Sequence, residues 1–516
     1  MKVVGSSLSY ISRLGVLGLI SALTLFGQKS PDPKAAEDLA PLLQQFVDVF
    51  SVVQDQGADA QPADKLIYEG AIPSMLRQLD PHTQFFDPSQ FEQLKQMEDA
   101  EQKGFGSIVS VLPGQVIFLQ TLPGTPSNKA GIQAGDELVA VNNIAIRALE
   151  PEQIIGLLTE ARQQKITVFI RRQGSPRLLQ FTLTPELVDS PSVDRAFLLQ
   201  PGYGYIRVAS WDVQTAKLVR QSIDNLGGDK LTGLVIDLRN NPGGVVKAAL
   251  EVSSMFLQSG QRILTAKGRA SEPETADVPK GASPYHFKVA IIVNEKTASA
   301  SEIFSGALQD HDRAVIVGEP SYGKGLVQSV MPLSGGAGLA ITTAFYYTPS
   351  GRSIQRPLRN SALSDTFNGA DVPKYKTDKG RQVRGGGGIE PDIRVGPRSL
   401  SRLEAVLDAS GAVTSFATQY IAEHRPLKNP IQITPDALDE FKVYLAARRI
   451  QPSLAEWSAE RAWLSDRLRE EIVTQVAGVA KGDEIEAEYD PQVQAALRAV
   501  KENALLAMES GAISPQ

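Results

Sequence analysis

Three short, almost wholly apolar runs constrain this 516-residue chain more than any other feature: Leu234–Leu238 (LVIDL), Val289–Val293 (VAIIV) and Ala314–Val317 (AVIV). Runs this short and this apolar read as buried strands. The first leads through a Pro-Gly-Gly turn into a helical run, Val245–Leu257. The second leads through a small-residue turn into another, about Ser299–Leu308. Strand, helix, strand with short links is the pattern of a layered α/β domain.

The remaining sequence is too long for one core. Lys2 and Arg13 precede Leu14–Phe26, an uncharged apolar run too short to span a bilayer comfortably. It fits a signal-peptide core, and without a clear Ala-x-Ala site an uncleaved anchor stays open. Ala35–Val53 carries a wide apolar helical stripe, and a second helical run, Lys65–Leu79, stops at Asp80-Pro81. Between Gly104 and Val188 the texture turns to short strands, including Glu137–Val141, Ile166–Arg171 and Leu178–Leu183, with one helix at Pro151–Arg162. Gly385–Gly388 reads as a flexible junction. Beyond Pro397 the chain reads as helical, with N-caps at Thr434 and Ser453. The expected division is a signal peptide or anchor (1–28), an N-terminal helical segment (29–95), a small β domain (96–187), the α/β core (188–396) and a C-terminal helical region (397–516).

Several chemistries are disfavoured. The chain has no cysteine, which removes disulfides, thiolate metal sites and a cysteine nucleophile. Its four histidines form no HExxH or other close ligand pair, so no metal is expected. A net charge of −6 without a dense Lys/Arg block points away from nucleic acid.

Three turns carry groups that could do chemistry. Asn294–Glu302 (NEKTASASE) joins a buried strand to a helix, where free backbone N–H groups and the helix dipole favour an oxyanion. A serine there, Ser299 or Ser301, is a candidate nucleophile, and the plain alternative is a helix N-cap built from Thr297, Ser299 or Ser301. A serine nucleophile needs a base. His311 lies at the far end of the same helix. Lys324, in Ser321-Tyr322-Gly323-Lys324-Gly325, follows the Ala314–Val317 strand and would emerge beside the serine if the two strands are neighbours. Burial would lower its pKa and leave a neutral amine, with Gln328 placed to orient it. Asp237–Gly244 (DLRNNPGG) again joins strand to helix, with glycines that can expose N–H groups.

Together TASASEI and GKGLVQ resemble the carboxyl-terminal processing (tail-specific) proteases of the S41 peptidase group. In that family a serine and a lysine lie 25 residues apart, the spacing of Ser299 and Lys324, which selects Ser299 over Ser301. DLRNNPGG, LDPHT (Leu79–Thr83), AGIQAGD (Ala130–Asp136), YYTPSG (Tyr346–Gly351) and GIEPD (Gly388–Asp392) match further family segments in order. The resemblance implies an α/β protease core (a layered sheet with helices, S41/crotonase-like), an inserted PDZ domain, and helical N- and C-terminal regions. It implies a serine endopeptidase with a Ser299–Lys324 dyad, Gln328 beside it, and an oxyanion hole from the N–H groups of Ala300 and Gly243 (or Gly244). It also implies a PDZ loop, Gly104, Phe105, Gly106 and Ser107, that takes substrate C-termini. No cofactor is implied. Three departures stand out: GFGS replaces a GIGI-like loop, Ser127 stands where alanine is usual, and ARQQK (Ala161–Lys165) replaces a glycine-flanked turn. Substrates would be proteins or peptides with free C-termini, met after export to a bacterial periplasm, free or anchored at the inner membrane. Homo-oligomerisation stays open, because the Leu39–Val53 helix and the C-terminal helices could each pack within the chain or against a partner. The competing reading is a catalytically inactive PDZ adaptor.

Overall fold

The computed structural model describes residues 2–4, 33–93, 103–188, 190–270, 272–357, 374–427 and 429–504. The apolar run Leu14–Phe26 lies outside them. Among the described residues no helix is long and apolar enough to cross a membrane.

The core is a six-stranded sheet in the order Val193–Gln200, Tyr203–Val208, Gly233–Asp237, Lys288–Val293, Ala314–Gly318, Ile393–Arg394. The first pair is antiparallel and the rest are parallel. Strand side chains alternate between faces. Leu234, Ile236, Val289 and Ile291 therefore pack with the helices Thr215–Leu226, Val246–Ser253 and Ala300–Asp310. Val235, Ala290, Ile292, Val315 and Val317 face the other way and are covered by Val493, Ala496, Leu497 and Val500 of the helix Pro491–Lys501. A boundary at residue 397 follows the sequence texture, but the last helix belongs to the core by packing. The sheet is apolar on both faces and needs that second cover.

A second sheet runs Glu274–Asp277, Arg262–Gly268, Gly338–Tyr347, Leu326–Pro332, and Gln84–Phe86 adds to Gly338–Tyr347. A strand that precedes the small β domain thus pairs with one that follows it, so that domain is inserted. It has its own core, including Val109, Phe118, Leu138, Ile154, Val168 and Ile170. Lys2–Val4 lies parallel to its strand Ser107–Leu112. The C-terminal helices hold the domain from one side: Val479 N–H donates to Gln120 Oε1 at 2.9 Å, and Val479 packs with Ile108 and Leu119.

The helix Pro33–Gln56 forms where its periodicity predicts it, and its apolar stripe stays exposed, Leu42 at 62%. The Lys65–Leu79 expectation is met by Ala63–Leu76, with a π-type turn at Leu66–Ala71. The flexible junction expected at Gly385–Gly388 is corrected. Gly386 and Gly388 N–H donate to Ser353 and Ile354 carbonyls at 2.7 and 2.9 Å. A Cβ on Gly388, at φ +85°, would sit 2.6 Å from Ser321 O. The glycines permit a tight crossing there.

Candidate active site

Three parallel strands end side by side, and the three turns of interest leave from those ends. Gly233–Asp237 leads to DLRNNPGG, Lys288–Val293 to NEKTASAS, and Ala314–Gly318 to the Lys324 turn. The condition set by the sequence, that the serine and lysine strands be neighbours, is met in register, Val293 opposite Gly318. Carboxyl ends of parallel strands are where open α/β sheets place their sites.

The turns are sewn together. Ala298 N–H donates to Asn241 O at 3.0 Å and Tyr322 N–H to Thr297 O at 2.9 Å. Asn240 N–H donates to Asn294 Oδ1 at 2.9 Å. Two of the three hydroxyls on the serine turn are spent on structure. Thr297 Oγ1 donates to Leu238 O at 2.8 Å, and Ser301 Oγ accepts from Trp211 Nε1 at 2.8 Å; both residues are fully buried. Ser299 is half-buried and sits at the N-cap of Ala300–Asp310 with φ 56° and ψ −117°. A side chain at positive φ is strained and persists only where its surroundings hold it.

The holding group is Glu302, which is fully buried. Its Oε2 accepts from Ser299 N–H and from Lys324 N–H, each at 2.9 Å. Its Oε1 accepts from Gly323 N–H at 2.7 Å and from Ser321 Oγ at 2.5 Å. Two nitrogens bonded to one oxygen lie within twice that distance of each other, so the serine and lysine backbones are neighbours. Burial pushes the Glu302 carboxyl up, and the Ser321 hydroxyl and the three N–H groups pull it back. Burial pushes the Lys324 amine down, and Glu302 partly opposes that. Among the described residues the Lys324 ammonium makes no ion pair. His82 stands in the same electrostatic neighbourhood. Burial, then the charge of Lys324, lowers its pKa, and Asp80 opposes. Gln328 Nε2 donates to the His82 carbonyl at 2.8 Å.

Gly243 lies against the serine. At φ +103°, a Cβ there would meet Ser299 Cβ at 2.7 Å and Ala300 N at 3.1 Å. Its N–H already donates to Asn241 Oδ1 at 2.9 Å. Ala300 N–H heads the helix, where the helix itself supplies no acceptor. In the small β domain, Phe105 is buried in the core. Gly106, at φ +69°, leaves no room for a Cβ against Thr125. Gly104 pairs with Glu186. Two of the departures from the family pattern meet: Ser107 Oγ donates to Ser127 Oγ at 2.6 Å, both buried. Each buried hydroxyl thereby satisfies the other.

Glu302, His82 and Asp80 were not assigned roles from the sequence. The Ser-x-x-Glu spacing of a capping box was the available signal for Glu302. LDPHT was visible as a motif without a function. No group of three or more metal-ligating side chains occurs among the described residues.

Residues 202–359 match peptidase family S41, and residues 118–172 match the PDZ domain. All three turns fall in the first span, whereas the loop Gly104–Ser107 precedes the second. A carboxy-terminal-processing protease of Bartonella bacilliformis is 32% identical over 353 residues, covering 66% of this chain and 81% of that protein. A carboxyl-terminal-processing protease of Synechocystis sp. is 33% identical over 293 residues, covering 55% of this chain and 68% of its own. Among solved structures, a photosystem II D1 C-terminal processing protease aligns over 68% of this chain and 92% of its own, at 25% identity and a TM-score of 0.38. With identity at this level over four-fifths of a carboxy-terminal-processing protease, the chain belongs to the S41 family of carboxy-terminal processing proteases and is a serine peptidase carrying a PDZ domain.

Proposed function

We propose that the chain uses a Ser299–Lys324 dyad to cleave protein substrates recognised at or near their C-termini. The observation that carries this is the shared Glu302 Oε2, which holds the backbones of both residues at the ends of adjacent strands. Neutral Lys324 takes the proton as Ser299 Oγ attacks the scissile carbonyl carbon. Lys324 then delivers that proton to the leaving amine, and water hydrolyses the acyl-enzyme. The tetrahedral oxygen is received by Ala300 N–H and by Gly243 N–H, which exchanges its bond to Asn241 Oδ1 for the oxyanion. Gln328 orients the lysine amine. The PDZ domain takes the substrate C-terminus as an added strand, its carboxylate at the loop Gly104–Ser107. Export through the N-terminal segment completes the reading, with substrates met outside the cytoplasm. No cofactor takes part.

The test is hydrolysis of casein and of a peptide with a free C-terminus by wild type, Ser299→Ala and Lys324→Ala. Each substitution should lower kcat by on the order of 10³-fold or more with the fold intact by circular dichroism. Undiminished cleavage by Lys324→Ala would assign the base to another group. Equal inactivity of wild type and both variants would favour the adaptor reading.

A further inference from the structure

The turn Asp80–Thr83 lies far from the dyad in sequence, yet one of its carbonyls contacts Gln328. Asp80 is buried, and Oδ1 accepts from His82 N–H at 2.7 Å and from Thr83 N–H at 2.8 Å. Oδ2 accepts from Thr83 Oγ1 at 2.7 Å. This is an Asx-type turn, with Pro81 removing one donor and fixing one dihedral. Its position is set by the strand that follows, since Gln84–Phe86 pairs with Gly338–Ala340. Thr342 N–H donates to Thr83 Oγ1 at 3.3 Å, and Thr342 is the cross-strand partner of Gln328. The pairing shifts register between Val327 and Gln328. Such irregularities re-aim a side chain, and here the Gln328 amide meets the His82 carbonyl at 2.8 Å. A backbone carbonyl only accepts, so it fixes which end of the amide faces it. The nitrogen is committed to His82, and Oε1 is the end left to accept from an amine.

We propose that the Asp80–Thr83 turn is a positioning element of the peptidase, holding Gln328 through the His82 carbonyl so that its Oε1 orients the Lys324 amine. This rests on the reading of Lys324 as the base. The carboxylate of Asp80 touches neither substrate nor dyad and acts through the backbone it folds. The titratable groups facing Lys324 are then Glu302 from the serine helix and His82 from the turn, and Asp80 acts on His82. The N-terminal segment thereby completes the site, and the PDZ domain is spliced between a positioning turn and the dyad it serves.

The experiment is a double-mutant cycle on the full chain, following kcat and KM for a peptide with a free C-terminus across neutral to alkaline pH. Asp80→Ala should lower kcat by about 10- to 100-fold with little change in KM, as expected when orientation and not binding is lost. Its acid limb should move to higher pH, because a loosened wall admits water and relieves the burial that keeps the amine neutral. Asp80→Asn keeps the Oδ1 acceptor and should recover most of the rate. Gln328→Glu leaves the turn untouched, sets oxygen against the His82 carbonyl, and should reproduce the loss. Adding Asp80→Ala to Gln328→Ala should cost nothing further. Multiplying losses in that double variant, or an unmoved acid limb in Asp80→Ala, would overturn the proposal while leaving the dyad standing. Undiminished activity of Lys324→Ala would remove the dyad and this proposal with it.

Discussion

Two neighbouring turns of the site are held by buried carboxylates in different ways. Glu302 is satisfied by three backbone N–H groups and one hydroxyl, all from the serine and lysine turns. Asp237, also buried, anchors the turn that carries Gly243 with charge. It accepts from Arg239 Nη2 at 2.6 Å and from Tyr205 Oη at 2.7 Å. Arg239 in turn donates through Nη1 to Asp490 Oδ2 at 2.6 Å and to Gln492 Oε1 at 2.9 Å, in the C-terminal helices. The first clamp is closed within the serine and lysine turns. The second is open-ended, because a guanidinium has donors to spare and recruits a second carboxylate from elsewhere in the chain. A backbone-satisfied acid fixes local geometry, whereas an ion-paired one ties the Gly243 turn to a distant region.

The sharpest way to break that contrast is Glu302→Gln. An amide keeps one acceptor and turns a donor toward N–H or O–H groups that are donors themselves. At least one buried donor loses its acceptor, at a cost of about 1–3 kcal/mol, and the strained Ser299 backbone loses support. Stability by urea unfolding should fall by that amount or more, and kcat should fall by about 100-fold or more with the dyad misplaced. A Gln variant with wild-type kcat would mean the clamp is packing only.

Asp490→Ala is the matching cut on the other side, with a smaller effect. It removes the Arg239 contact and the N-cap that accepts from Gln492 and Val493 N–H at 2.8 and 3.1 Å. Loss of a cap costs about 1 kcal/mol, and the partly exposed ion pair adds up to about 1 kcal/mol. Arg239 still holds Asp237, so kcat should fall only several-fold. Asp490→Asn keeps the cap, and the difference between the two variants isolates the charge. A loss of kcat as large as that of Glu302→Gln would erase the distinction between a closed and an open clamp.

The same contrast explains what could be read from the sequence. The buried strands and the strands of the small β domain were legible because each is a local pattern of apolar period or turn residues, whereas the pairing of Ser299 with Lys324 came from the family resemblance alone. Glu137–Val141 and Ile166–Arg171 form where predicted. Glu302 was visible only as part of a capping pattern, since the N–H groups it binds on the lysine turn become its neighbours through strand pairing. The helix Pro491–Lys501 was legible as a helix but not as the sheet's second cover, because an apolar stripe does not say what it faces. Gly385–Gly388 misled because glycine serves both a flexible link and a tight crossing, and only the carbonyl of Ser321 distinguishes them. The Ser107–Ser127 pair is similar: two separate departures become one hydrogen bond once the loop folds.

The smallest expected effect lies where the open clamp reaches the C-terminal helices. Glu486 lines a cavity of about 450 Å³ with Arg239, Asp483 and Asp490. Desolvation, then the charges of Glu470, Asp483 and Asp490, raises its carboxyl to about 7, and Arg239 opposes. A raised folded-state value means the folded chain keeps a proton that the unfolded chain releases. The stability contributed by this group therefore falls as pH rises from about 4.5 to about 7 and is level above that. Glu486→Gln removes the dependence, so the variant should match wild type near pH 5 and exceed it near pH 8. Glu486 is exposed toward the cavity, and water there screens the repulsion, so the gain is set at about 1 kcal/mol, below the full linkage value. Peptide cleavage should be unchanged, because Arg239 keeps both Asp237 and Asp490. Urea unfolding at the two pH values measures the difference. An equal gain at both would show that these carboxylates do not share a field, leaving Asp490 and Arg239 as an isolated pair.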